Sequence, residues 1–261
     1  MTDADITRHE QWFAAYAAGK IAEAGTDAEP LRLKCEHTRR VLAGAGEIVD
    51  AEYFPPDLAR ATLIAALYHD VGRFDQYLRY RTFNDRISCN HAILGIRIIN
   101  QKGCLDGEEM RQTIGAAVAL HNRFALPPAL PDDLRRITLV VRDADKLDIL
   151  RLMDEELHGE GKSARAVVYG LPDNPARASN KIIAAALAGR PASYGDLQSV
   201  GDFRLLLSAW IFEMNFTASR QRFATDGHAR RLLEGLPADS PYGPARAMLL
   251  ARLDEVSLEM K

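Results

Sequence analysis

The stretch YHDVGR, residues 68–73, sets an imidazole beside a carboxylate at the end of an apolar segment. His69 lies four residues after Ala65, and this spacing places two residues on the same face of a helix. Asp70 follows Ala66 in the same way. Helical spacing therefore predicts that both polar groups point inward. An unpaired buried carboxylate is unfavourable, whereas a carboxylate that binds a divalent cation has its charge offset.

Three further histidines lie on similar apolar stripes, namely His37, His91 and His121. His37, for example, has Leu33 and Val41 four residues before and after it. A single histidine on an apolar face is more often a hydrogen-bonded core residue than a metal ligand. The ordered combination of four such histidines with a buried carboxylate instead indicates the ligands of one inorganic centre.

An acidic helical segment, RDADKLD at residues 142–148, follows the histidines. Asp143 and Asp145 both have apolar residues four positions before and after them, so spacing alone does not choose between them as a ligand. Asp148 is a weaker candidate.

The order of these motifs resembles the HD-domain superfamily of metal-dependent phosphohydrolases. The resemblance rests on His37, on YHDVGR at residues 68–73 and on ADKL at residues 144–147, and it covers about residues 31–157. It implies an all-α bundle in which one divalent metal is bound by His37, His69, Asp70 and Asp145. It also matches His91 and His121 to the extra histidines of family members that hold two metals, with Asp70 as the bridge.

The family pattern favours Asp145 over Asp143 as the closing ligand, because the family's ligand usually precedes a basic residue, here Lys146. Asp143 then becomes a candidate for substrate contact. Mixed imidazole and carboxylate ligands suit Mn, Fe, Co, Ni or Zn better than Ca or Mg, with one or two ions bound.

Two basic residues adjoin the proposed ligands in sequence, Arg73 and Lys146. Either can bind phosphate oxygens, arginine as a planar fork and lysine as a point charge. We therefore predict Asp70, Arg73 and Lys146 as catalytic residues, and Arg73, Lys146 and Asp143 as substrate contacts. The alternative for both basic residues is an ordinary place on the surface.

Residues 73–90 are predicted to form a loop rich in aromatic and basic side chains. This composition suits a nucleotide-like ligand, which would stack on rings and pair with arginines. The alternative is that the aromatic side chains pack the loop onto the bundle while the arginines stay solvated. The residues concerned are Phe74, Tyr77, Tyr80, Phe83, Arg79, Arg81 and Arg86.

Apolar residues recur every three or four positions along most of the chain, which predicts an all-α fold. We expect an HD-domain helical bundle over residues 1–160 and a C-terminal helical extension over residues 161–261, or one single domain. A polar stretch at 159–178 is either the linker or a surface loop. One long helix is predicted at 203–223, with a core stripe of Trp210, Phe212, Phe216 and Phe223.

The 33 basic and 36 acidic residues leave a net charge of −3, which argues against electrostatically driven nucleic-acid binding. Three cysteines without metal-site spacing fit a reducing compartment, so we expect a cytoplasmic protein. No apolar run approaches the roughly 18 to 20 residues that cross a bilayer, so no membrane partner is expected. Pairing of chains is not visible in the sequence.

The sequence therefore predicts an enzyme that hydrolyses a phosphomonoester or phosphodiester of a small phosphorylated substrate with metal-activated water. Two alternatives use the same scaffold. One is a mixed-valence di-iron oxygenase that resembles inositol oxygenase, and the other is a nucleotide-sensing binding module.

Overall fold

A computed structural model describes residues 5–158 and 170–259 of the chain. Every regular element in those two ranges is helical, which confirms the all-α prediction. Contacts between Cα atoms divide the chain into two compact units, Met1–Asp145 and Lys146–Lys261. The boundary predicted at residues 160/161 and the first part of the predicted linker lie outside the described residues.

The first unit is built from helices that carry all the predicted metal ligands. They are α1 (Thr7–Ala24), α2 (Glu29–Ala51), α3 (Pro56–Tyr68), α4 (Gly72–Tyr80), α5 (His91–Lys102), α6 (Arg111–Leu120) and α7 (Asp132–His158), which continues into the second unit. Their ends follow from local chemistry. Pro56 opens α3, the Asn90 side chain accepts a hydrogen bond from the Ile93 amide at the start of α5, and Gly103 ends that helix with a φ of 63°.

Residues 72–80 form a helix, so the prediction of a loop from residue 73 was wrong for that part. Phe74 and Tyr77, three residues apart, share the buried face of α4. Their packing on the bundle agrees with the structural alternative, whereas Tyr80 is 46% exposed. Arg81 ends α4 in the left-handed region, and the true loop spans residues 81–90.

Helices α4 and α5 approach each other closely where both begin. A Cβ atom at Gly72 would overlap the carbonyl oxygen of His91 and lie 2.7 Å from the amide nitrogen of Gly95. Only glycine allows this approach. The contact brings the Asp70 turn, which precedes α4, next to the first residue of α5, His91.

The second unit contains the rest of α7 and five further helices around its own apolar core. These are α8 (Asn180–Leu187), α9 (Val200–Ser208), α10 (Thr217–Thr225), α11 (His228–Glu234) and α12 (Gly243–Leu258). In residues 5–158 and 170–259, no helix has both the length and the apolar character needed to cross a membrane.

The prediction of a single helix at 203–223 was wrong, because α9 ends at Ser208 and a 3₁₀ segment covers Ala209–Glu213. A 3₁₀ turn has about three residues, so it rotates side chains away from the positions that an α-helix would give them. Trp210 and Phe223 are buried as predicted, but Phe212 is 37% exposed and does not belong to the core stripe.

Candidate metal centre

The six predicted ligands come from different helices of the first unit and converge on one place. His37 lies within α2, the His69-Asp70 pair joins α3 to α4, and His91 begins α5. The sixth and seventh helices complete the set, because His121 follows α6 directly and Asp145 lies in α7. All four imidazoles and the Asp70 carboxylate are buried, and the Asp145 side chain is one-fifth exposed.

One group of ligand atoms surrounds the Oδ2 atom of Asp70. The Nε2 atoms of His37 and His69 lie 3.6 and 3.7 Å from it. Asp145 Oδ1 lies 3.1 Å from His37 Nε2 and 3.9 Å from His69 Nε2. Two ligand atoms that are each about 2.0–2.2 Å from one ion lie roughly 3–3.5 Å apart, so this spacing suits a shared cation.

A second group surrounds the other Asp70 oxygen, Oδ1. His91 Nε2 lies 3.2 Å from it and His121 Nε2 lies 3.9 Å away. The two Nε2 atoms are 3.1 Å apart. The Asp70 carboxylate thus belongs to both groups, with one oxygen directed to each, as expected of a bridging ligand.

Hydrogen bonds at the far side of each ring fix which nitrogen carries the proton. His69 Nδ1 donates to the Ala66 carbonyl and His121 Nδ1 donates to the Val118 carbonyl, both at 2.7 Å. His91 Nδ1 likewise donates to the Asp85 carboxylate at 2.7 Å. Since carbonyl and carboxylate oxygens only accept, these bonds leave Nε2 as the atom with a free lone pair.

These lone pairs are unsatisfied without a cation. His69 Nε2 is buried and has no hydrogen-bond partner among the described residues. The Nε2 atoms of His91 and His121 face each other with lone pairs on both sides. Burial lowers the pKa of His121 to about 3, and burial also lowers the pKa of His69, so protonation does not relieve the conflict near neutral pH. The residues present therefore fit a divalent metal.

Both carboxylates are held in the charged form that metal binding needs. Burial alone would raise the pKa of Asp70, but the charges of Lys34 and Arg73, together with the neighbouring His69 ring, outweigh burial and hold it well below its usual range. For Asp145, burial is likewise outweighed by the hydrogen bond with His37 and by the neighbouring His69 and His37 rings, and its pKa is lowered. The centre therefore offers two anionic oxygen ligands.

The structure distinguishes the two candidates for the closing ligand. Asp145 lies within the cluster, whereas Asp143 is fully buried and lies two residues earlier on α7. Two residues correspond to about 200° around a helix axis, which directs Asp143 away from the side of Asp145. Contact between Asp143 and the substrate stays a prediction.

Lys146 is the first residue of the second unit. Its Nζ atom lies 2.5 Å from Glu213 Oε2 and 5.4 Å from the centre of a Trp210 ring. Only 13% of its side chain is exposed. The predicted catalytic and phosphate-binding roles of Lys146 stay predictions.

Arg73 lies beside the cluster as predicted, and the loop after α4 orients it. Its Nη1 atom donates to the Gln76 side chain at 2.8 Å, to the Phe83 carbonyl at 2.6 Å and to Asp85 Oδ1 at 2.8 Å. Its Nε atom lies 3.4 Å from Asp70 Oδ1, is buried and has no hydrogen-bond partner in the described part of the chain. A buried donor without an acceptor beside a metal site indicates a place for an anionic ligand atom.

Asp85 was not singled out from the sequence, yet it connects several parts of the centre. It accepts hydrogen bonds from His91 Nδ1 at 2.7 Å, from Gln76 at 2.8 Å and from Asn122 at 3.2 Å, besides the bond from Arg73. Burial would raise its pKa, but the hydrogen bond from His91 and the charge of Arg73 lower it to about 2. Asp85 thus orients a ligand imidazole through its outer nitrogen.

Lys34 is a second residue of the centre that was not predicted from the sequence. Its Nζ atom lies 2.7 Å from Asp70 Oδ2. It precedes His37 by three residues, so both lie on one face of α2, and this spacing was the only available indication.

The helices of the first unit bring imidazoles and carboxylates to one buried point, where these groups could hold a metal ion. Residues 35–153 match the family model described as HD domain, which is consistent with the HD-domain superfamily. The match confirms the resemblance seen in the motifs. Most members of the superfamily are metal-dependent hydrolases. Comparisons with curated proteins and with solved structures gave no match.

Proposed function

We propose that this protein is a metal-dependent phosphohydrolase that cleaves a phosphate ester of a small substrate. The position of Asp70 carries the proposal. Each of its oxygens faces its own pair of imidazoles, while the side chains of Lys34 and Arg73 lie against the same carboxylate. Cations beside a metal-ligand cluster suit a phosphorylated substrate, because phosphoryl oxygens bind both metals and guanidinium groups.

The residues proposed to hold the metal are His37, His69, Asp70, Asp145, His91 and His121. Their mixed nitrogen and oxygen atoms suit Mn, Fe, Co, Ni or Zn. A bound divalent ion supplies a water of lowered pKa and a Lewis acid for a phosphoryl oxygen. The chain contributes orientation, because the outer nitrogens of the rings are already fixed by hydrogen bonds.

Arg73 orients the phosphoryl group in this proposal. Its Nη1 side is held by Gln76, Phe83 and Asp85, which leaves the Nε side directed at Asp70. A guanidinium fixed in this way loses little side-chain entropy when an anion binds. A nucleotide-like substrate stays a prediction, supported by the Phe83 ring beside Arg73.

The test uses purified protein loaded separately with each candidate metal and assayed on p-nitrophenyl phosphate and bis(p-nitrophenyl) phosphate. We expect metal-dependent release of nitrophenol from at least one ester, reduced at least about 100-fold in Asp70→Ala. Asp196→Ala is the matched control, because this carboxylate pairs with exposed Lys181 in the second unit. Hydrolysis at the full rate in Asp70→Ala would reject the proposal.

A second candidate is oxygen chemistry at two iron ions, which the sharing of Asp70 between two histidine groups would also accommodate. Iron near two per chain with substrate-dependent oxygen uptake would favour it. Metal-dependent phosphate release without oxygen uptake would count against it. Binding of a nucleotide without turnover across the whole panel would favour the sensing module instead.

The free state of Cys35, Cys89 and Cys104 supports our further proposal of a reducing, cytoplasmic location. The nearly balanced charge supports a small substrate as the partner and not a nucleic acid.

A further inference from the structure

We infer that this centre selects a dianionic phosphoryl group, as in a phosphomonoester, over a monoanionic phosphodiester, and that Lys34 determines the selection. The inference rests on the proposed function and narrows its substrate class. Lys34 lies just ahead of the segment that matches the HD-domain family model, which begins at residue 35. The family match therefore assigns no role to this lysine.

The ammonium group of Lys34 has hydrogen-bonding capacity left over. It donates one hydrogen bond, to Asp70 Oδ2 at 2.7 Å, and its side chain is 20% exposed. A lysine ammonium has three donors. Over residues 5–158 and 170–259 it makes no other hydrogen bond, so two donors remain for a ligand at the partly exposed side of the centre.

Lys34 and Arg73 flank the bridging carboxylate. Lys34 lies against Oδ2 of Asp70, and Arg73 Nε lies 3.4 Å from Oδ1. Both cations also face the ring of Phe83, with Lys34 Nζ at 5.6 Å and Arg73 Cζ at 5.9 Å from the ring centre. Each of the two positive charges therefore lies beside Asp70 and near the Phe83 ring.

The free donors of both cations are suited to one phosphoryl group. The three Nη1 hydrogen bonds of Arg73 go to the loop, whereas its buried Nε has no acceptor among the described residues. The Nε side of a guanidinium binds one phosphoryl oxygen, and an ammonium can bind a second oxygen as a point charge. A monoester offers three unesterified oxygens for these donors and the metal, whereas a diester offers two.

The charge of the centre favours the same choice. Three carboxylates, those of Asp70, Asp85 and Asp145, exceed the two cations by a single negative charge. Each divalent ion adds two positive charges, so a centre with both histidine groups occupied has a clear positive excess. A dianion compensates more of this excess than a monoanion does. Without Lys34 the excess falls by one charge, and that loss weakens binding of the dianion most.

The experiment compares wild type with Lys34→Gln and Lys34→Arg on the two nitrophenyl esters, each protein loaded with the most active metal. Wild type is expected to prefer the monoester. Lys34→Gln is expected to lower kcat/KM for the monoester about 10- to 100-fold and for the diester by about threefold or less. Lys34→Arg should restore the preference, and Lys102→Gln, an exposed lysine on α5, is the control.

A binding measurement separates this inference from the proposed function. Isothermal titration of the metal-loaded proteins with methylphosphonate at a pH where it is a dianion, and with the monoanion dimethyl phosphate, needs no turnover. If wild type binds the dianion selectively and Lys34→Gln loses that selectivity, the inference is supported, whether or not either ester is hydrolysed. Absence of hydrolysis of both esters by wild type would count against the proposed function and not against this inference.

Three results would overturn the inference. Wild type could prefer the diester, or Lys34→Gln could lower kcat/KM equally for both esters. Lys34→Gln and Lys34→Arg could also both lose bound metal, which would make Lys34 a residue that only holds Asp70 in place. Metal content and thermal unfolding are measured on each variant. If Lys34→Gln does not fold, Lys34→Met takes its place, and failure of all three to fold would show a purely structural role.

Discussion

At the scale of single residues, Asp85 connects His91, a proposed metal ligand, with Arg73, the arginine proposed to bind phosphate. We predict that Asp85→Asn lowers metal affinity at the His91 and His121 group about 10- to 100-fold, because the neutral amide orients the His91 ring less strongly. KM should rise as well, since Arg73 loses its anionic partner. Isothermal titration calorimetry with the metal tests the predicted loss of metal affinity.

The matched control for Asp85→Asn is Asp27→Asn. Asp27 also accepts hydrogen bonds from a tyrosine and an arginine, Tyr77 and Arg81, but its side chain is 53% exposed. Equal metal affinity in Asp85→Asn and wild type would show that the loop carboxylate does not support the ligand.

The sequence allowed the ligand set to be predicted because imidazoles on apolar helical faces are unusual. Lys34 and Asp85 could not be found in that way. The partner of Lys34 is Asp70, which lies in the turn between α3 and α4, so the three-residue spacing from His37 was too weak an indication to single out this lysine. Asp85 lies in a segment without a helical period, where a pattern of apolar residues has no meaning.

At the scale of helices, the contact between α4 and α5 positions the Asp70 turn against His91. We predict that Gly72→Ala destabilises the protein by about 1–3 kcal/mol, because the added methyl group overlaps the His91 carbonyl oxygen and crowds Gly95. Urea unfolding measures the change. Metal binding should weaken in parallel, since both helices supply parts of the centre.

Gly19→Ala is the control for this substitution. Gly19 lies within α1, and a Cβ atom there would meet nothing within 4 Å. Its replacement by alanine should be neutral or stabilise by up to about 1 kcal/mol, through helix propensity alone. Similar effects of the two substitutions would contradict the close packing of α4 on α5.

Helix α4 was not predicted because its polar and basic residues hide a short apolar face made chiefly of Phe74 and Tyr77. The break after Ser208 was missed for the opposite reason. The segment around it is mostly apolar, and neither glycine nor proline marks the change from α-helix to 3₁₀ helix. Tertiary packing decides such boundaries, and local spacing cannot reveal them.

At the scale of the whole molecule, bound metal should stabilise the fold, because the ligands are brought together only in the native state. Free metal at 100 times its Kd adds about 2.7 kcal/mol to the free energy of unfolding. This corresponds to a rise in Tm of roughly 5–10 °C for a chain of this size. Differential scanning calorimetry with and without Mn, Fe, Co, Ni or Zn measures the shift.

Chelation should reverse that rise, and Asp70→Ala should show little of it. Mg and Ca should have less effect than the transition metals, since imidazole nitrogens bind them weakly. An unchanged Tm in wild type across all five metals would contradict coupling between metal binding and folding.

The most direct test of the metal centre is anomalous diffraction from crystals grown with the most stabilising metal, with data collected at its absorption edge. We expect at least one anomalous peak about 2.0–2.2 Å from an Asp70 oxygen and from the Nε2 atoms of the histidines that face it. Ordered density for Asp70 and the four histidines, with no anomalous peak beside them at saturating metal, would contradict this expectation.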